Sequence, residues 1–131
     1  MKTLTTLFSL SFLMLISTNS FADWVEIGQG DDGVTHYVDM DNSKVSNGDV
    51  YYWRMSDYLT PDKFGDMSAQ VYSRGDCDIG RLKTLSYIFY KRGMGTGPSD
   101  QQESANKEWK YPAPNSAARV ALDIVCAYHA E

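Results

Sequence analysis

The sequence predicts an α+β fold: a twisted antiparallel β-sheet of about five to six strands in meander order, covered by one C-terminal α-helix and held by one disulfide. Three observations carry this. Apolar and polar residues alternate with period two through successive segments separated by short polar breaks, the pattern of half-buried strands. A helical period occurs once in the mature region, near the C-terminus. The two cysteines, Cys77 and Cys126, fall at the end of a strand-like segment and on that helix.

The first residues stand apart from this domain. Lys2 gives a basic start, Leu4 to Ile16 is apolar apart from Thr and Ser, and Ser20-Phe21-Ala22 supplies small residues for cleavage. This is the layout of a secretory signal peptide, so residues 1–22 are expected to be removed between Ala22 and Asp23. A single domain, residues 23–131, is left. The apolar run is shorter than the ~20 residues that span a bilayer, and no other such run follows, so no membrane span is expected. Asp23 stands where a bacterial lipoprotein would carry its lipidated cysteine. The expected product is therefore exported and unanchored, in the periplasm or outside the cell, and at the cell surface only if another component holds it there.

Trp24-Val25-Glu26-Ile27 opens the domain as a short strand, followed by a turn over Gly28–Gly33. From Val34 to Met40, Val34, His36, Val38 and Met40 share one face. Asp41-Asn42-Ser43 and Ser46-Asn47-Gly48-Asp49 have turn chemistry. Val50 to Leu59 is the clearest strand, with Tyr51, Trp53, Met55 and Leu59 opposite Val50, Tyr52, Arg54, Ser56 and Tyr58. Pro61 and Gly65 break the chain before Ser68–Cys77, and Leu82–Arg92 follows with Leu85, Tyr87 and Phe89 on one side. Gly93 to Lys107 lacks an apolar period and reads as a long loop. Ser116 to Tyr128 then reads as a helix whose inner face is Ala118, Ala121, Leu122, Val125 and Cys126, capped by Asn115 or Ser116. Arg119 and Asp123 are spaced to pair on another face. A sheet with one apolar face needs a cover, and this helix supplies it.

Export places both cysteines in an oxidising compartment, where an even count favours a structural Cys77–Cys126 disulfide. Their separation is far from the C-x-x-C of a redox pair.

The chain has 12 Lys+Arg against 17 Asp+Glu, a net charge of −5 that becomes −6 once Lys2 leaves with the signal. Such a chain has no general attraction to nucleic acid or anionic membrane surfaces. The charge is uneven. Residues 23–49 hold seven acids and one base, whereas 50–92 hold seven bases and five acids.

Cofactor and metal motifs are missing. Asp39-x-Asp41-x-Ser43 begins like a calcium loop but has Lys44 where the turn needs Gly and Val50 where Glu should close the shell. His36 and His129 have no metal-ligand spacing. Arg92-Gly93-Met94-Gly95-Thr96-Gly97-Pro98 is glycine-rich but lacks the Lys-Ser/Thr of a phosphate loop, and reads as a turn leaving the last strand. No G-x-S-x-G elbow is present. Nine tyrosines and three tryptophans remain. Strand propensity explains many of them, and exposed Tyr and Trp beside Arg are also the composition of protein-binding surfaces.

In order along the chain stand Trp24-Val25-Glu26-Ile27-Gly28, Tyr37-Val38-Asp39, Trp53 with Asp57-Tyr58, Cys77 after a long strand, Met94-Gly95-x-Gly97, Trp109-x-Tyr111-Pro112, and a helix bearing Cys126. This ordered set resembles the surface-adhesin protein E family of Gram-negative bacteria. The resemblance implies an antiparallel sheet packed by a C-terminal helix and held by a disulfide. Its founding member is a surface lipoprotein that binds host matrix and serum proteins such as vitronectin and laminin.

The reading is thus a non-enzymatic exported binding module for a protein partner, with host matrix or serum proteins as the implied ligands. Recognition residues are expected at Arg92, Met94 and Trp109, since loops on a rigid scaffold carry binding. A periplasmic structural or envelope-assembly factor is the alternative, and a small periplasmic hydrolase the third reading. Exposed edge strands also offer a route to a homodimer.

Overall fold

Six strands lie in one antiparallel sheet, side by side in the order in which the chain makes them. In the computed structural model, which describes residues 23–130, they are β1 (Trp24–Gln29), β2 (Thr35–Ser46), β3 (Asp49–Asp57), β4 (Ser68–Asp76), β5 (Arg81–Arg92) and β6 (Thr96–Glu103). One helix, α1 (Ala117–His129), closes the chain. The signal peptide expected over residues 1–22 lies outside the described residues; Asp23 is exposed at the start of β1. No helix among the described residues is long and apolar enough to cross a membrane.

The core forms where α1 meets β1–β3. Val38, Val50, Tyr52, Ala121, Leu122 and Val125 make its buried cluster, with Ile27, Met40, Ile124 and Cys126 packed around it. Tyr52 is inside, on the helix side, and burial pushes its hydroxyl up to about 12. Arg54, on the same face of β3, is drawn below its ordinary value by desolvation. Ser116 caps α1, its Oγ accepting from the Arg119 N–H at 3.2 Å. Asn115 is not the cap; it takes a left-handed backbone at φ 64° just before it. Arg119 pairs with Asp123 at 3.1 Å, as their spacing predicts.

The disulfide joins Cys77, in the β4–β5 turn, to Cys126 on α1, with a Cα–Cα distance of 5.8 Å. It ties the helix to the far end of the central hairpin and closes a separation of 49 residues.

The structure corrects the sequence reading at four places. Gly93–Lys107 is not one long loop: β6 occupies its middle, paired with β5 from Ser86↔Glu103 to Arg92↔Thr96. All eight residues of β6 are exposed, so backbone pairing alone makes the strand and no apolar alternation announces it. The glycine-rich turn therefore joins β5 to β6 and does not leave the last strand.

Asp41-Asn42-Ser43 is a bulge within β2, where the register with β3 shifts between Asp39 and Lys44. Asp39 is buried and holds the bulge, its carboxylate accepting from the Asn42 backbone N–H at 3.2 Å and side-chain amide at 2.7 Å. Leu59 lies beyond the end of β3 and is 72% exposed. Leu85 is out of phase with Tyr87 and Phe89: Ser73 pairs with Thr84 while Tyr72 pairs with Ser86, so Leu85 is the extra residue of a second bulge. The turn at Asn47-Gly48 is as the sequence predicts, with φ 51° and 83° linking β2 to β3.

Candidate functional site: the helix-free face of the sheet

Strand geometry puts alternate residues on opposite faces. Val50 and Tyr52 face α1, so Tyr51, Trp53 and Met55 face the other way. Register carries this across the sheet. Lys44, Tyr51, Arg74 and Lys83 are direct neighbours on β2, β3, β4 and β5 and form one row. The next row is Asp39, Trp53, Tyr72 and Ser86.

Cations and aromatic rings interleave here. Trp53 stacks on Tyr72 with ring centroids 4.8 Å apart, and Tyr51 lies 6.3 Å from the same tyrosine. Lys44 Nζ stands 5.8 Å and Arg74 Cζ 6.0 Å from the centre of the Tyr51 ring. Trp109 reaches this face from the segment before the helix, because Lys110 bridges to Leu82 at the start of β5. Three cations gather on the Trp109 ring: Arg81 Cζ at 4.1 Å, Lys83 Nζ at 4.7 Å and Arg74 Cζ at 5.4 Å. Each such contact contributes about 0.5–1 kcal/mol at an exposed site.

Two carboxylates orient the arginines. Arg74 pairs with Asp49 at 2.6 Å and Arg81 with Asp76 at 3.0 Å. The hydrogen bond to Asp49 raises Arg74 above its ordinary value, and the Arg81 hydrogen bond holds Asp76 below the usual carboxylate range. Among the described residues, neither Lys44 nor Lys83 makes an ion pair.

The other end of the same face is roofed by the β5–β6 turn. The Met94 N–H donates to Asp57 Oδ1 at 2.7 Å, and the Gly95 N–H to Ser68 Oγ at 2.9 Å. Gly95 is packed against the side chains of Gln70 and Met55, and Met55 is fully buried beneath it. Met94 takes a left-handed φ of 56° and is 41% exposed. Arg92 is exposed beside it, with its side chain packed along Gly97.

The three residues singled out in the sequence thus flank one face from two ends. Arg92 and Met94 stand at the turn near Gln70, and Trp109 stands over Arg74, four residues on along β4, or about 13 Å. Lys44, Tyr51, Arg74, Arg81 and Lys83, which lie on this face, escaped the sequence reading. The usable signal was the Asn47-Gly48 hairpin, which fixes Val45 opposite Val50 and so Lys44 beside Tyr51.

No cluster of three or more His, Cys, Asp or Glu side chains suited to a metal occurs among the described residues. Two serine–histidine pairs are in contact among the described residues, Ser56 Oγ with His36 Nδ1 at 3.0 Å and Ser43 Oγ with His129 Nε2 at 2.7 Å. Ser43 Oγ donates to the Met40 carbonyl, so its single proton is engaged and it accepts from the imidazole. This contact fastens the end of α1 to the β2 bulge.

The fold has counterparts in solved structures. Crystal form II of Haemophilus influenzae protein E matches with a TM-score of 0.63 at 18% identity, over 84% of this chain and 91% of that one. Protein E from non-typeable Haemophilus influenzae matches with a TM-score of 0.58 at 17% identity, over 84% and 79%. At such identities the likeness is one of fold. No curated protein sequence gives a significant match. The family model described as Surface-adhesin protein E matches residues 24–127, from the first residue of β1 to within two residues of the end of α1. By that match the chain belongs to the surface-adhesin protein E family.

Proposed function

We propose that this adhesin-family protein is an exported, non-enzymatic binding module that holds a protein partner on the helix-free face of its sheet. The observation that carries this is the gathering of Trp109, Tyr51, Trp53 and Tyr72 with Lys44, Arg74, Arg81 and Lys83 on a face that α1 does not cover. Trp, Tyr and Arg are the residue types that dominate binding energy at protein interfaces. Host matrix or serum proteins are the ligands the family resemblance implies. In this reading residues 1–22 are a signal peptide removed after Ala22, and residues 23–131 act as one domain without a lipid anchor.

The test is Trp109→Ala in the mature chain, measured against immobilised vitronectin and laminin. Trp109 is only half-buried, so the fold should survive by circular dichroism while binding weakens. Unchanged binding by the folded variant overturns the reading, as does recovery of the native protein in a stable complex with envelope components and with no matrix protein. Protease digestion of intact cells, with a periplasmic protein as control, decides the compartment.

A further inference from the structure

We propose that the row formed by Lys44, Arg74 and Lys83, with Arg81 and Trp109 at its end, is the docking surface for an acidic segment of a protein partner. This rests on the reading of the helix-free face as the partner-binding face, and adds the chemistry of the partner.

The argument is one of charge complementarity. The protein is acidic overall, at −5, yet four cations are collected within one patch of one face. Among the described residues Asp49 pairs with Arg74 and Asp76 with Arg81, and no carboxylate pairs with Lys44 or Lys83. Lys44 and Lys83 rest on Tyr51 and Trp109 and not on carboxylates, which leaves their charges available to a ligand. Like charges on adjacent strands are unfavourable to the sheet, and the core does not need them. Arg74 and Lys83 are nonetheless direct cross-strand neighbours.

The spacing also fits a peptide. Lys44 and Lys83 are separated by three strand gaps, about 14 Å, and an extended segment presents same-side residues about every 6.7 Å. Alternate Asp or Glu residues laid across the strands would therefore meet the row from one end to the other. Asp49 and Asp76 stand within the patch, so a ligand must place its anions between them. A partner with discrete carboxylates does so better than a uniformly charged sulfated glycan.

The experiment uses the mature chain and a fluorescent peptide of alternating Glu and Ser, with an alternating Lys and Ser peptide and heparin as comparators. The Glu peptide should bind, the Lys peptide should not, and affinity should fall as salt rises. Lys44→Glu combined with Lys83→Glu should weaken Glu-peptide binding at least about tenfold, mostly through the association rate. Lys63→Glu, on the loop beside Phe64, should leave it unchanged. Equal binding of the two peptides, no effect of the double reversal, or tighter binding of heparin with displacement of the peptide each overturns the proposal. If vitronectin or laminin binding is lost in Trp109→Ala but survives the double reversal, the binding-face reading stands and the acidic-partner proposal falls.

Discussion

Leu122 of α1 packs directly onto the bare backbone of Gly75 in β4. A Cβ at that position would overlap the Leu122 side chain and come within 2.9 Å of Val50 Cγ2 and 3.4 Å of Tyr52 Cε1. The helix therefore sits as low as it does because one strand residue has no side chain. Gly75→Ala should lift it and cost about 1–3 kcal/mol, an overpacking penalty. Leu122→Ala alone should cost about 2–5 kcal/mol by leaving a cavity. The double variant should cost less than the sum, since each change relieves the other. Urea denaturation of the four proteins measures this, and strict additivity would mean that the two residues do not share one contact.

The disulfide should contribute about 4 kcal/mol, the chain-entropy value for closing a loop with a separation of 49 residues. Cys77→Ser with Cys126→Ser should lower stability by that order while the sheet survives. A thiol assay on the unfolded, unreduced wild type should find no free thiol; finding two would contradict the bond.

His36 gives the fold a pH dependence of definite sign. Burial, and then the nearby Arg54 charge, hold its ring below the ordinary 6.5, with Asp32 opposing weakly. Its Nδ1 is hydrogen-bonded to Ser56 Oγ at 3.0 Å. The folded state thus favours the neutral ring. As pH falls below 6.5 the unfolded chain binds a proton that the folded chain refuses, so stability declines until the lower folded value is passed. Denaturation midpoints on either side of 6.5 should show the loss, and His36→Gln should flatten it.

Met94 tests the turn that roofs one end of the face. Its left-handed backbone, at φ 56°, is one that side-chain-bearing residues adopt at a cost of roughly 1–2 kcal/mol. Met94→Gly keeps the N–H that bonds to Asp57 and relieves that cost, against a smaller entropic loss. Stability should hold or rise slightly by thermal denaturation. Partner binding should fall if the thioether is a contact, and remain unchanged if the residue only shapes the turn.

Most of the scaffold was legible because its strands bury one side. Val50–Asp57 and Ser68–Asp76 alternate clearly, and α1 declares itself through Ala121, Leu122 and Val125. The strand β6 was not legible: it has no buried side, so nothing in Thr96–Glu103 distinguishes a paired edge from a loop. The face was legible only in part. Trp109 stands out as an aromatic interruption in a polar stretch, but the row of Lys44, Tyr51, Arg74 and Lys83 exists only through register. Two bulges, at Asp39–Lys44 and at Tyr72–Ser73, reset that register. A slip of one residue exchanges the faces of a strand, so counting along single strands cannot recover neighbours across four.

The bond between Cys77 and Cys126 also decides how the molecule answers a pull. Tension entering near Trp24 and leaving near Ala130 crosses from one sulfur to the other and bypasses everything between them. The covalent path skips the strands β5 and β6, with Lys83 and Trp109, and about 160–170 Å of chain is withheld from extension. Lys44, Tyr51 and Arg74 lie on the stretched path. The row across the sheet therefore joins two kinds of chain, Lys44, Tyr51 and Arg74 on the length that can be drawn out and Lys83 on the length held by a covalent clasp.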